Sequence, residues 1–493
     1  AMEKFDSLTH EEYARRLGPL EGKIDVFITN EPLLQSYWAE HQPRRERPSG
    51  AAFLPWDADL PRRFQEEHGY DLLPLLPALY GGDDPASKLT RRHFFQTVGT
   101  MLAENFSGRI ADCAEKNGTQ SAGHPVLEEV MMYHVIGYGD FFRFVEPMQI
   151  PTCDVPMPDP GAYWNFWMPK FLSSVAQAKD RDTVACLLDP IIDRPVMDLT
   201  PTPEEFRRIV DMAVLCGVNQ FQTYLRWDEY EPAVYRGMSE YTGRLAAVLR
   251  GARSAATVAM YYPIETFQAE FLPTPGFVHT TETSYYPPAW QGMMEMVDAQ
   301  NTIARSLIST GIDFNWMHGD WIREARVEDG VLIAAGGRYS TIIMPQVELL
   351  PLDVAKKIEA FQKSGGKVVW VNSLPQLGDA PGEHEQVSGL FAGQQTVQPG
   401  EVVAAIGRVV PPGFGLRTAD VPMIARFTRD GRRINYLVNY RPQPMTVPLE
   451  SAGNAPLSVH VYNPLDGSIT PQQTPATVTI PPQSSLIVTE DPS

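Results

Sequence analysis

Asp25-Val26-Phe27-Ile28-Thr29-Asn30-Glu31-Pro32 is a short β-branched, apolar run that stops on an Asn-Glu-Pro tripeptide. The run has the composition of a buried parallel strand, and a proline cannot continue a hydrogen-bonded ladder. Barrel enzymes hold their reacting groups just past the carboxyl ends of such strands, so Glu31 is the first catalytic candidate. The alternative on this stretch alone is a solvated glutamate opening a loop.

Outward from this run, the pattern repeats. Further strands are expected at 119–123, 148–153, 183–188 and 217–224, with helical stretches at 91–116 and 203–216 between them. The second helix has a clear start in Thr202-Pro203-Glu204-Glu205, a capping residue followed by a proline and two acids in the first turn. This is an α/β pattern with a parallel sheet, but it supplies only five strands. Five strands cannot close an eight-stranded barrel, and the open edge calls for cover by a second copy or a partner chain.

The strand ends give a list of candidates. Asn30 and Glu31 follow the first strand; His124, Glu128 and Glu129 follow the second; Asp154 follows the third. Asp189 and Asp193 follow the fourth, and Gln220, Gln222, Tyr224 and Arg226 the fifth. The list contains no nucleophile elbow, phosphate-cradling glycine loop or zinc-spaced histidine pair. Carboxylates in a cleft with aromatic neighbours suit glycoside hydrolysis, in which one acid protonates the leaving oxygen and another attacks the anomeric carbon or activates water. Glu31 is the expected general acid, with Glu128, Glu129 or Asp189 as its partner. Asn30, His124, Asp154, Trp164, Gln222, Tyr224, Arg226 and Glu265 are the expected sugar contacts. Arg226, followed by Asp228, Glu229 and Glu231, reads as a solvated loop ahead of a sugar clamp, and Asp154 has the alternative of a loop cap.

Composition narrows the classes. Sixty acidic residues against 41 basic ones give a net charge of -19, which excludes the basic surface a nucleic-acid partner requires. The apolar stretches are strand-sized, so no membrane span is expected. Cys113, Cys153, Cys186 and Cys216 lack paired or metal-type spacing and read as reduced core thiols. The start, Ala1-Met2-Glu3-Lys4, has no charged-then-apolar leader, so a signal peptide is absent or removed and the bacterial cytoplasm is favoured over the periplasm. No cofactor is expected. Acidic loops leave calcium open as a ligand, although none has calcium-binding spacing.

The chain divides into residues 1–254 as the barrel-like unit, 255–398 as a flavodoxin-like α/β unit and 399–493 as a β-sandwich. The middle unit is expected to alternate a strand from Thr257, a helix at 291–309, strands at 312–317 and 340–344, a helix at 352–364 and a strand at 367–371. A glutaminase activity there would need a cysteine nucleophile, and none follows Cys216. Glu265, Glu282 and Tyr285 could overhang the barrel mouth, and His318-Gly319-Asp320-Trp321 reads as a structural turn.

Several blocks carry a family likeness. Phe53-Leu54-Pro55-Trp56-Asp57-Ala58-Asp59-Leu60-Pro61, His68-Gly69-Tyr70-Asp71, Ala103-Glu104-Asn105-Phe106-Ser107-Gly108, Gly123-His124-Pro125 and Gly139-Asp140-Phe141-Phe142 resemble, in this order, bacterial glycoside hydrolases related to the α-L-rhamnosidases. The likeness continues through Ser173-Ser174-Val175 and Gly217-Val218-Asn219-Gln220-Phe221 to the segment from Val327 to Met344. It implies a (β/α)8 barrel, a flavodoxin-like or amidotransferase-like domain, a C-terminal β-domain and a general acid/base at Glu31. It also exposes two departures. Relatives place a serine-glutamate pair at the end of the fourth strand, where this chain has Cys186 and Leu187. Relatives also carry three strands before the one that ends in Asn-Glu-Pro. A carbohydrate-binding or assembly subunit without catalysis, or a lyase on the same barrel, are the competing expectations.

Overall fold

The computed structural model describes residues 2–34, 52–155, 166–188, 200–223, 225–274, 288–407, 414–416, 422–451 and 455–490. Its first unit is a curled parallel sheet of five strands in sequential order: β1 (Val26–Asn30), β2 (Gln120–His124), β3 (Ile150–Val155), β4 (Ala185–Leu188) and β5 (Gln220–Thr223). The sheet is half a barrel. Because side chains alternate along a strand, each strand divides its residues between two faces. Cys153, Cys186 and Leu188 enter the main core with the helices. Val26, Ala122, Ile150 and Ala185 form a small cluster of their own on the opposite, barrel-interior face. That face is incompletely covered: Ile28, between Val26 and Asn30, is 50% exposed.

The helices are placed by their ends. Thr202 and Glu205 form the reciprocal capping box of helix Pro203–Leu215. Asp84 accepts from Ala86 and Ser87 backbone N–H groups to start helix Pro85–Leu102, earlier than the sequence pattern indicates. That helix does not run unbroken to residue 116. A π-helical turn, Ala103–Gly108, separates it from helix Arg109–Lys116, and a Cβ at Gly108 would lie 2.8 Å from the Ala103 carbonyl oxygen.

The middle unit is a second parallel sheet, in the order Thr396–Val397, Lys367–Val371, Thr341–Pro345, Val258–Tyr261, Phe314–Met317. The expected helices are present at Gln291–Ser309 and Leu352–Lys363. An antiparallel meander of Arg326–Glu328, Val331–Ala334 and Gly337–Tyr339 was not expected. Its two tight turns, Asp329-Gly330 and Ala335-Gly336, have positive φ at all four residues, the geometry of two-residue hairpins.

The C-terminal unit packs a six-stranded antiparallel sheet against a three-stranded one around Leu437, Val447, Leu449, Val459, Val478, Ile480 and Val488. The six-stranded sheet takes its edge strand, Arg253–Ser254, from the end of the first unit. Buried polar groups also join the units. Asp313 pairs with Lys170, and its other oxygen accepts from the Arg426 N–H at 2.9 Å. Asp211 accepts from the hydroxyls of Tyr241, Tyr436 and Ser485.

All four cysteines are buried thiols outside any disulfide. Among the described residues no helix is long and apolar enough to cross a membrane.

Candidate active site

The carboxyl ends of β1, β2 and β3 bring three of the expected residues together. Side-chain donor atoms of Glu31, His124 and Asp154 all lie within 4.8 Å of one another. Each is placed by its own backbone. Glu31 leaves β1 with φ of 49°, a conformation costly for a residue with a Cβ, and its N–H donates to the His124 carbonyl at 3.0 Å. Pro32 then ends the ladder, and the Leu34 N–H bonds to the Gly137 carbonyl at 3.1 Å. A Cβ at 137 would meet Leu33 Cδ1 at 2.6 Å, so a larger residue there would displace the end of the Leu33 side chain. The segment after Glu31 is thereby clamped onto helix Met131–Tyr138.

His124 is buried, with Nε2 2.7 Å from Asn30 Oδ1. With Asn30 presenting its oxygen, Nε2 carries the proton and donates to it. Burial pushes the imidazole pKa down, and the nearby Glu31 carboxylate opposes that only in part. His124 is accordingly neutral at pH 7 and orients Asn30, which is exposed at the cleft.

Asp154 is half-buried at the end of β3, and its N–H donates to Glu128 Oε1 at 3.0 Å. Glu128 itself is 2% exposed. Burial raises its carboxyl pKa well above the ordinary range, and Glu129 beside it raises it further; burial also raises Glu129. The loop around them is braced. Tyr138 OH bridges the N–H and carbonyl of Val126 at 2.8 Å each, and His134 Nε2 reaches the Glu128 carbonyl at 2.9 Å. Glu128 is thus a buried carboxylate that holds the Asp154 N–H, in place of the open cleft carboxylate expected. Its neighbour Glu129 has a carboxylate oxygen sealed from solvent.

The remaining expected residues divide. Gln222 is half-buried, two strands from Asp154 through the register Asp154, Leu187, Gln222. Arg226 is exposed and paired with Glu229 at 2.6 Å and Asp228 at 3.5 Å, the solvated-loop alternative. Glu265 does not overhang the cleft. It is 3% exposed and accepts from Tyr261 OH at 3.0 Å, because its helix Ile264–Glu270 packs into the interior. Trp164, Asp189, Asp193, Tyr224, Glu282 and Tyr285 lie outside the described residues.

Glu31, His124 and Asp154 are also the one group among the described residues spaced for a metal ion. Two carboxylates and an imidazole do not match calcium, which takes six to eight oxygen ligands as a rule.

Solved structures with the same architecture cover nearly the whole chain. A rhamnosidase from Novosphingobium sp. PP1Y superposes with a TM-score of 0.69 at 16% identity, covering 99% of this chain and 47% of its own. The fold is that of glycoside hydrolases. A β-galactosidase from Bacillus circulans sp. alkalophilus shares this glycosidase fold with a TM-score of 0.64 at 14% identity, covering 99% of this chain and 82% of that one. In sequence, the chain is 22% identical over 422 residues to a protein named "Putative beta-glucuronidase" from Formosa agariphila, covering 78% of this chain. The chain spans 32% of that relative and 47% of the rhamnosidase. No protein-family model matches the sequence.

Proposed function

We propose that the protein hydrolyses a glycosidic bond, with Glu31 as the general acid. The observation that carries this reading is the convergence of Glu31 and Asp154, with oxygens within 4.8 Å, beside a neutral imidazole on a glycosidase fold. Glu31 would protonate the leaving oxygen, Asn30 would bind a sugar hydroxyl, and Gln222 would reach the substrate from the far side of the half-barrel. A rhamnoside or a related sugar is the proposed substrate, in keeping with the rhamnosidase among the structures that share the fold.

A second reading has one observation in its favour. Leu187 occupies the row between Asp154 and Gln222 where the likeness to rhamnosidases leads one to expect a carboxylate. On this reading the protein binds carbohydrate without cleaving it.

A panel of aryl rhamnosides, galactosides and glucuronides, assayed for aglycone release beside calorimetry with the same compounds, separates the two. Release supports hydrolysis, binding without release selects the second reading, and neither would overturn both.

A further inference from the structure

Away from the half-barrel, the outer face of the six-stranded sheet is only partly covered. Strand Ser484–Glu490 alternates: Leu486 and Val488 turn into the sandwich core, Ile487 and Thr489 to the outside. The neighbouring strands Arg432–Asn439 and Ser458–Tyr462 follow the same rule. They place Ile434 and His460 on either side of Thr489, and Tyr462 beside Ile487. The second half of helix Pro232–Leu249 forms the opposite wall, and between helix and sheet lies an open groove of about 1120 Å³. Ile469, at its rim, is 62% exposed.

In a chain of net charge -19 this groove carries an excess of positive charge. Arg244 pairs with Glu240 at 2.9 Å, and Arg429 lies 3.6 Å from Asp430, which leaves Arg432 over. Arg429 and Arg432 stand directly opposite each other at a hairpin end, on either side of the Asp430-Gly431 turn. Like charges so placed destabilise a sheet. Arg429 donates to the carbonyls of Ala247 and Val248 at 2.8 and 3.1 Å, at the C-terminal end of the helix. Arg432 is exposed and has neither an ion pair nor a hydrogen bond among the described residues. A planar guanidinium left in this position is suited to a carboxylate that arrives with a ligand.

We propose that this groove binds an acidic oligosaccharide, a chain containing uronate sugars, at a site separate from the strand ends of the half-barrel. Arg432 pairs with a uronate carboxylate. Tyr462 and Ile469, opposite each other on adjacent strands, receive the apolar face of a neighbouring ring, and the tyrosine hydroxyl stays available to a sugar hydroxyl. Small-molecule pockets measure about 300–1,000 Å³, so a groove of this size admits several linked rings. The choice of a saccharide over another carboxylate-bearing ligand rests on the carbohydrate reading of the protein; the charge argument stands without it.

The test is calorimetry of the full chain with hexasaccharides of galacturonate and mannuronate, beside neutral cellohexaose and maltohexaose and beside citrate. At least one uronate hexamer should bind, more weakly as salt is raised. Its affinity should fall at least about 10-fold in Arg432→Glu, the loss of a charge-assisted pair, and also in Ile469→Asp. Both side chains are exposed, so melting temperatures should match the parent, and Arg432→Gln should show an intermediate loss if Arg432→Glu does not fold. Turnover of small aryl glycosides should be the same in all three variants. No binding of either uronate hexamer, equal binding by Arg432→Glu, or a neutral hexamer that binds as tightly would overturn the proposal. Citrate that binds as tightly as the hexamer, with the same dependence on Arg432, would make this a simple anion site and overturn the saccharide. Groove binding by a protein that releases no aglycone would remove the hydrolase reading and leave the groove standing, whereas turnover without groove binding would do the reverse.

Discussion

The His124 imidazole and the Asn30 side chain meet at 2.7 Å, tying together the ends of two adjacent parallel strands at the mouth of the cleft. One group is buried and neutral and the other is exposed, so the first can aim the second. Replacing His124 with phenylalanine removes the donor while filling its space. Turnover should fall about 10- to 100-fold, the usual effect of losing a partner that orients a site residue. Steady-state kinetics on an aryl glycoside check this, and unchanged kcat would make the contact merely structural.

Glu128 gives a prediction with a sign. Its carboxyl pKa is raised by burial and by Glu129, so the folded state holds that proton above pH 4.5 while the unfolded chain releases it. Its contribution to stability is fully present below pH 4.5 and is lost as pH rises through the folded pKa. Glu128→Gln keeps an acceptor for the Asp154 N–H and cannot ionise, so its melting temperature should decline less between pH 5 and 8 than that of the parent. Glu128→Leu leaves the Asp154 N–H without its acceptor and should cost about 1–3 kcal/mol by urea denaturation.

At the seam between the first two units, His318 Nε2 meets Asp140 Oδ2 at 2.9 Å with both residues buried. Burial alone would depress the imidazole pKa, but Asp140 and Asp320 outweigh it and hold the value at about 9. The stabilisation is fully present below pH 6.5 and is lost as pH rises through 9. His318→Gln should lower stability at pH 6 by about 3–5 kcal/mol, the range for breaking a buried pair, and should flatten the loss between pH 7 and 9.5. Thermal melts across that range check it; parallel curves would contradict it.

Chelation should not matter. Glu31 is assigned to proton transfer, and the group it forms with His124 and Asp154 includes an imidazole, which calcium's oxygen coordination does not use. Turnover after dialysis against EDTA should equal that before it. Loss of activity restored by a divalent cation would reassign the cluster as a metal centre.

The five barrel strands, the alternation of the middle unit and the general location of Glu31 were legible in the sequence, because apolar periodicity and the Asn-Glu-Pro stop are local signals. The burial of Glu128 and Glu265 has no local signal, because it is decided by distant packing: Glu128 accepts from the Asp154 N–H, and Glu265 sits on a short helix turned inward. The hairpin meander at 326–339 does carry a local signal, Asp329-Gly330, between short strands of three or four residues. The convergence of Glu31 and Asp154, more than a hundred positions apart in the sequence, exists only once the strands are side by side.

The most direct test of the account is Glu31→Gln, assayed on aryl glycosides spanning good and poor leaving groups. Loss of the general acid should cut turnover of the poor leaving groups about 100- to 10,000-fold and spare the best ones, with an unchanged melting temperature. Equal turnover of poor leaving groups by the variant and the parent would contradict the assignment of Glu31.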